Sequence, residues 1–145
     1  MRAMVWCMLA LTAACSSSRM TAVDTSNVET QVAGPLRLQV RDFATQMGIL
    51  WALPSIAPSP GQVVVESTRY GGLCEWALSG NAIVQGSKID LHVGYSQRFT
   101  NCVAQVRAVQ YTATITVPAG TYDVTVIHHE SSEADTVRKQ TVVVP

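Results

Sequence analysis

From Leu36 almost to the last residue, apolar side chains recur at every second position, and that spacing constrains the fold more than any other feature. In "LRLQVRDF", Leu36, Leu38 and Val40 share one face while Arg37, Gln39 and Arg41 share the other. A period of two belongs to a strand with one face in a core, whereas a helix brings its apolar residues back every three or four positions. The pattern returns in "QVVVEST", rich in β-branched residues, and in "LCEWALSG", with Cys74, Trp76 and Leu78 on one face. In "SKIDLHVGY", Ile89, Leu91, Val93 and Tyr95 alternate with Lys88, Asp90 and His92. "CVAQVRA" puts Cys102, Ala104 and Val106 in one phase, yet the next set is Val109, Tyr111, Ala113, Ile115 and Val117. The slip of one residue near Ala108–Val109 predicts a β-bulge or a bend between sheets. "TYDVTVIHH" and "TVRKQTVVVP" complete the series.

Two stretches interrupt it. "ATQMGILWAL" (residues 44–53) fits one or two helical turns as well as a strand, although Gly48 weakens a helix. "PSIAPSPG" carries three prolines in eight residues and predicts a loop. Six or seven short strands, polar turns and few helical patterns predict an all-β chain: a single antiparallel β-sandwich of immunoglobulin-like architecture. The hairpin "VPAGTYDVTV" resembles the closing strands of immunoglobulin-like and transthyretin-like modules, where a Pro-x-Gly turn precedes a Tyr-x-Val-x-Val strand. The immunoglobulin signature itself is missing, since Trp76 follows Cys74 by two residues and no tyrosine stands two before Cys102.

The start of the chain obeys another rule. Met1 and Arg2 precede an apolar run from Ala3 to Ala14, twelve residues long, where crossing a bilayer takes roughly 20. A short positive start, an apolar stretch and then small residues describe a secretory signal peptide. "TAAC", Thr12 to Cys15, resembles the lipobox of bacterial lipoproteins, with Thr12 where the family prefers leucine. The resemblance implies cleavage before Cys15, acyl chains on its thiol and amine, and a protein held by lipid at the bacterial cell envelope. Ser16, in place of an aspartate, implies the outer membrane if the cell is Gram-negative. The alternative is an ordinary signal cut near Ala14, giving a soluble secreted or periplasmic protein. The serine-rich segment after Cys15 suits a tether. The expected organisation is a signal peptide at 1–14, a lipid anchor and polar linker at 15–34, and the sandwich at 35–145.

Cleavage would remove Arg2 and leave nine basic side chains against ten acidic ones, with no run of like charge beyond Arg138–Lys139. That balance excludes a phosphate-reading surface, so no nucleic acid is expected as partner, and it supplies no polybasic membrane patch. Four cysteines are present. Cys7 would leave with the signal and Cys15 would carry lipid, so Cys74 and Cys102 remain as an even pair outside the cytoplasm, which predicts a disulfide. Their phase with inward apolar residues suggests a bridge across the core. Neither has a second ligand at zinc-type spacing.

The candidate chemistry is sparse. "VIHHESSEAD" offers two histidines followed by Glu130, Glu133 and Asp135, the atom types a divalent metal takes. Neighbours on a strand face opposite ways, so His128 and His129 cannot grip one ion. The weak metal candidates are therefore His92, His128 and Glu130, should their strands be adjacent; otherwise the stretch is a strand end and a polar hairpin loop. No Gly-x-Ser-x-Gly elbow is present, and nothing selects a Ser–His–Asp set or a carboxylate pair. No enzyme activity and no cofactor is expected. "GYSQRFTN", with Tyr95, Arg98 and Phe99, and "TRYGGLC", with Arg69 and Tyr70, combine the aromatic and arginine side chains that dominate recognition surfaces. A Cys74–Cys102 bond would bring these two loops together. The sequence thus points to an envelope lipoprotein with a non-catalytic binding or structural domain, its ligand an envelope protein or a glycan. A metal-binding or metal-handling periplasmic protein using His92, His128 and nearby carboxylates is one alternative. A module of a surface adhesin or fibre, self-associating through the edge strand "KQTVVVP", is another.

Overall fold

The structure is a computed structural model that describes residues 27–45, 52–70, 72–102, 106–130 and 133–145, with the backbone alone for Asn27, Tyr70, Thr100 and Asn101. Cys15, the signal peptide, Ala104 and the segment 46–51 lie outside the described residues.

Nine strands are described: β1 (Asn27–Ala33), β2 (Leu36–Thr45), β3 (Ser55–Ser59), β4 (Gln62–Tyr70), β5 (Cys74–Gln85), β6 (Lys88–Cys102), β7 (Val106–Thr116), β8 (Gly120–Glu130) and β9 (Glu133–Val144). They form two sheets, in the orders β1-β2-β7-β4-β3 and β5-β6-β8-β9. The two sheets pack into a β-sandwich. Every neighbouring pair is antiparallel except β6 and β8, which run parallel because the chain crosses to the first sheet and back through β7 between them. Hairpins β1–β2, β3–β4 and β5–β6 turn at Gly34, Gly61 and Gly86, each with positive φ, a conformation that costs glycine no steric clash.

Alternation sets the core as read from sequence. Leu36, Leu38 and Val40 from β2, Val63 and Val65 from β4, and Val109, Tyr111, Ala113 and Ile115 from β7 face Trp76, Leu78, Ile89, Leu91, Val93, Val124 and Val126 of the other sheet. Gly80 of β5 lets the sheets close at one edge, since a Cβ there would stand 2.8 Å from Leu38 Cδ2. Two glutamine side chains stitch the open edges. Gln31 Nε2 donates to Leu78 O at 2.7 Å, and Gln140 Nε2 donates to Ile56 O at 3.3 Å.

Several expectations change. The folded region begins before residue 35, because β1 lies inside the stretch assigned to the linker. It is an edge strand whose apolar residues Val28 and Val32 stay exposed, so it carries no core pattern to read. The proline-rich stretch holds β3 instead of a loop. As an edge strand it tolerates Pro58, which cannot donate to a ladder. "GYSQRFTN" is the continuation of β6, paired as far as Arg98↔Glu75; the register then jumps to Cys102↔Cys74, leaving Phe99 in a bulge. The slip at Ala108–Val109 is real, for both are fully buried on opposite faces, but the register of β7 against β2 and β4 runs through it unbroken. Cys74 and Cys102 are bonded. Their bond joins neighbouring strands at one end of the second sheet and does not cross the core.

Candidate functional site

Three inward-facing rows turn polar at the same end of the sandwich. On β2 the row Leu36, Leu38, Val40 continues to Asp42; on β4 Val63 and Val65 continue to Ser67 and Arg69; on β8 Tyr122, Val124 and Val126 continue to His128. Tyr95 of β6 belongs to the same end, because β6 and β8 are adjacent and Tyr95 lies beside Glu130. Polar groups on an inward face need hydrogen-bond partners, and Asp42, Arg69 and His128 each find one on the opposite sheet.

Tyr111 OH lies 2.9 Å from His128 Nε2, and Tyr95 OH lies 3.4 Å from the same nitrogen. Each hydroxyl can donate to this nitrogen or accept from it, so the contacts fit either tautomer of the neutral ring. Burial keeps this imidazole neutral: its pKa falls to about 4, chiefly from desolvation and then from the charge of Arg69 and the neighbouring His129. Desolvation likewise pushes both tyrosine hydroxyls up, so they stay protonated. The guanidinium of Arg69 lies 4.9 Å from the Trp76 ring centroid and 5.1 Å from that of Tyr95, close enough for cation–π attraction. Its side chain is only 11% exposed, and it donates to Glu130 Oε2 at 2.5 Å. Beside this cluster lies a cavity of about 150 Å³, walled by Leu53 at its outer edge and by Pro54, Ser67, Arg69, His128, Glu130 and Val137, with Glu133 and Asp135 also lining it.

A second network closes the edge between the sheets. Asp42 accepts the backbone N–H of Trp76 at 2.5 Å and Arg107 Nε at 2.9 Å, and Glu75 lies 4.0 Å from the same guanidinium. Arg98 pairs with Glu29 of β1 at 2.8 Å.

Of the residues singled out from sequence, Arg69, Tyr95, His128 and Glu130 meet in one cluster. Arg98 is held at the β1 edge, and Phe99 stands in its bulge, 78% exposed. The side chain of Tyr70 lies outside those described. The weak metal set does not assemble. His92 belongs to the outer face of the second sheet, where its Nδ1 lies 2.8 Å from His129 Nε2, while His128 and Glu130 belong to the inner side. Among the described residues no group of three or more histidine, cysteine or carboxylate side chains is placed to hold a metal. Trp76, Ser67, Tyr111, Asp42 and Arg107 were not anticipated as site residues. For Ser67 and Asp42 the signal was available: each continues an inward row one step beyond its last valine.

Neutral His128 makes the domain acid-sensitive. A folded value of about 4 against an ordinary 6.5 means that the unfolded chain binds more protons across that interval. The stability tied to His128 is therefore complete above pH 6.5 and lost as pH falls towards 4. Because the ring borders the cavity, screening trims the loss to about 1–2 kcal/mol. Urea unfolding at pH 7.5 and pH 4.5 should show that difference, and His128→Gln should shrink it; an equal difference in both proteins would assign the acid sensitivity elsewhere.

No family model, no curated protein and no solved structure matches this chain.

Proposed function

We propose that the protein is a lipid-anchored envelope protein whose sandwich is a non-catalytic binding module, with its ligand site in the cavity at the Arg69–His128 end. The observation that carries this reading is the cavity itself: in a core built mostly of aliphatic side chains, one end combines a hollow, a largely enclosed guanidinium, the rings of Trp76 and Tyr95 and a neutral imidazole. Concave sites with apolar walls and a few convergent polar groups are where small ligands bind. At about 150 Å³, the cavity suits a small molecule or one residue of a larger ligand, such as a terminal sugar or a peptide side chain. The lipid is supported by the "TAAC" sequence ending at Cys15 and by the polar residues that follow it.

Two measurements test the two halves. The intact mass of protein extracted from membranes, taken before and after reduction, should equal residues 15–145 plus acyl chains; an unmodified mass in the soluble fraction overturns the anchor. For the site, N-acetylglucosamine, ethylamine and acetate serve as probes, with the melting temperature as readout. A probe that binds the folded state raises it by mass action. Val137→Phe, which narrows the cavity, should abolish the rise; a rise that persists in this variant places the ligand elsewhere.

A further inference from the structure

The end of the sandwich that carries the cavity is also the end at which the chain enters the fold. Asn27 pairs with Asp42 in the first sheet, and Asp42 lies level with Trp76 and Arg107. Four large apolar side chains stand out into solvent around the rim of this same end. They are Val28 on β1 (61% exposed), Leu53 before β3 (69%), Leu73 before β5 (55%) and Phe99 in the β6 bulge (78%). β1 and β3 are the opposite edges of the first sheet, and β5 and β6 belong to the second. The four therefore come from both sheets and from both edges of one of them. Points spread in this way define a plane across the end of the sandwich, not a groove along one side.

We infer that this rim rests on a lipid bilayer, with Leu53, Leu73 and Phe99 entering the interface and the long axis of the sandwich standing off the membrane. The inference rests on the proposed lipid at Cys15. Eleven residues separate Cys15 from Asn27, and however they are arranged they reach at most about 40 Å. β5, with twelve residues, is itself about 40 Å long. Val32, Ile83, Val84 and Val143 are exposed towards the opposite end. They meet the same membrane only if the linker runs fully extended along the whole domain. The rim at the Asn27 end meets it with chain to spare. Leucine and phenylalanine are side chains that the apolar boundary of a bilayer accepts, and no polybasic patch is needed where a lipid already holds the protein.

The test is neutron reflectometry of the full-length lipidated protein on a supported bilayer of phosphatidylethanolamine and phosphatidylglycerol. The expected profile has protein density beginning at the headgroups with no intervening water layer. The triple variant Leu53→Asp/Leu73→Asp/Phe99→Asp should stay bound through its lipid but open a hydrated gap, bounded by the linker's reach of about 40 Å. All three positions are exposed, so the variant should melt with the wild type. A wild-type profile that already shows the gap, or a triple variant with an unchanged profile, overturns the docking and leaves the anchor intact. A protein that washes off the bilayer completely overturns the anchor, and the docking falls with it.

Discussion

Asp42→Ala is expected to cost about 3–5 kcal/mol of stability, the range for breaking a buried ion pair from one side. Asp42 is 9% exposed and reaches from the first sheet to the edge of the second, where its two oxygens take the Trp76 amide and the Arg107 guanidinium. Alanine leaves that amide without its acceptor, and leaves Arg107 with only Glu75, at 4.0 Å, as an ion-pair partner among the described residues. Asp42→Asn keeps an oxygen for Trp76 and should lose less, so the difference between the variants isolates the charge. Acid should not mimic the mutation. Desolvation raises the Asp42 pKa above the ordinary carboxyl range, against the pull of the Trp76 amide and Arg107. The contribution of a group raised in the fold is complete at low pH and is lost as pH climbs through its folded value. Urea midpoints of wild type, Asp42→Asn and Asp42→Ala at pH 7.5 decide the matter. A loss under about 1 kcal/mol in Asp42→Ala, the worth of one ordinary hydrogen bond, would mean that the sheets are not latched here.

Breaking the disulfide is the second large effect. The bond closes a span of 28 residues, which in the chain-entropy model stabilises the fold by about 3–4 kcal/mol through the unfolded state. The folded state should survive its loss, because the β5–β6 ladder continues without it from Glu75↔Arg98 to Gln85↔Lys88. Reduced wild type and Cys74→Ala/Cys102→Ala should therefore keep the strand signature of the oxidised protein while unfolding at a lower urea midpoint. Coincident midpoints for oxidised and reduced protein would show that the hairpin alone already restricts the unfolded chain.

Period-two alternation was legible wherever one face is buried. Leu36–Val40, Val63–Val65, Ile89–Tyr95 and Val109–Val117 face inward as their spacing required. A residue that breaks the pattern chemically but keeps its phase, such as Ser67, Asp42 or His128, was legible as inward only by extending a row past its last valine. The strands that escaped are β1 and β3. Both are edges, paired on one side only, so fewer of their side chains need to be apolar and their sequences resemble tether and turn. β6 escaped in part, since its last residues pair by backbone bonds that any side chain permits.

The sequence by itself determined the fold class, the inward and outward faces of the central strands, and the cysteine pair, because each depends on local periodicity or on simple counting. Tertiary structure alone decided which strands are neighbours. It makes β6 and β8 adjacent, yet His92 and His128 stay on opposite faces of that sheet, because adjacency in space does not override the alternation of faces. It also seats the Arg69 guanidinium between Trp76 and Tyr95 of the opposite sheet. A charged side chain at an inward position is costly until a distant segment supplies rings, a carboxylate and a cavity to receive it. No window of local sequence contains those partners, because β4, β5, β6 and β8 converge only when the two sheets close.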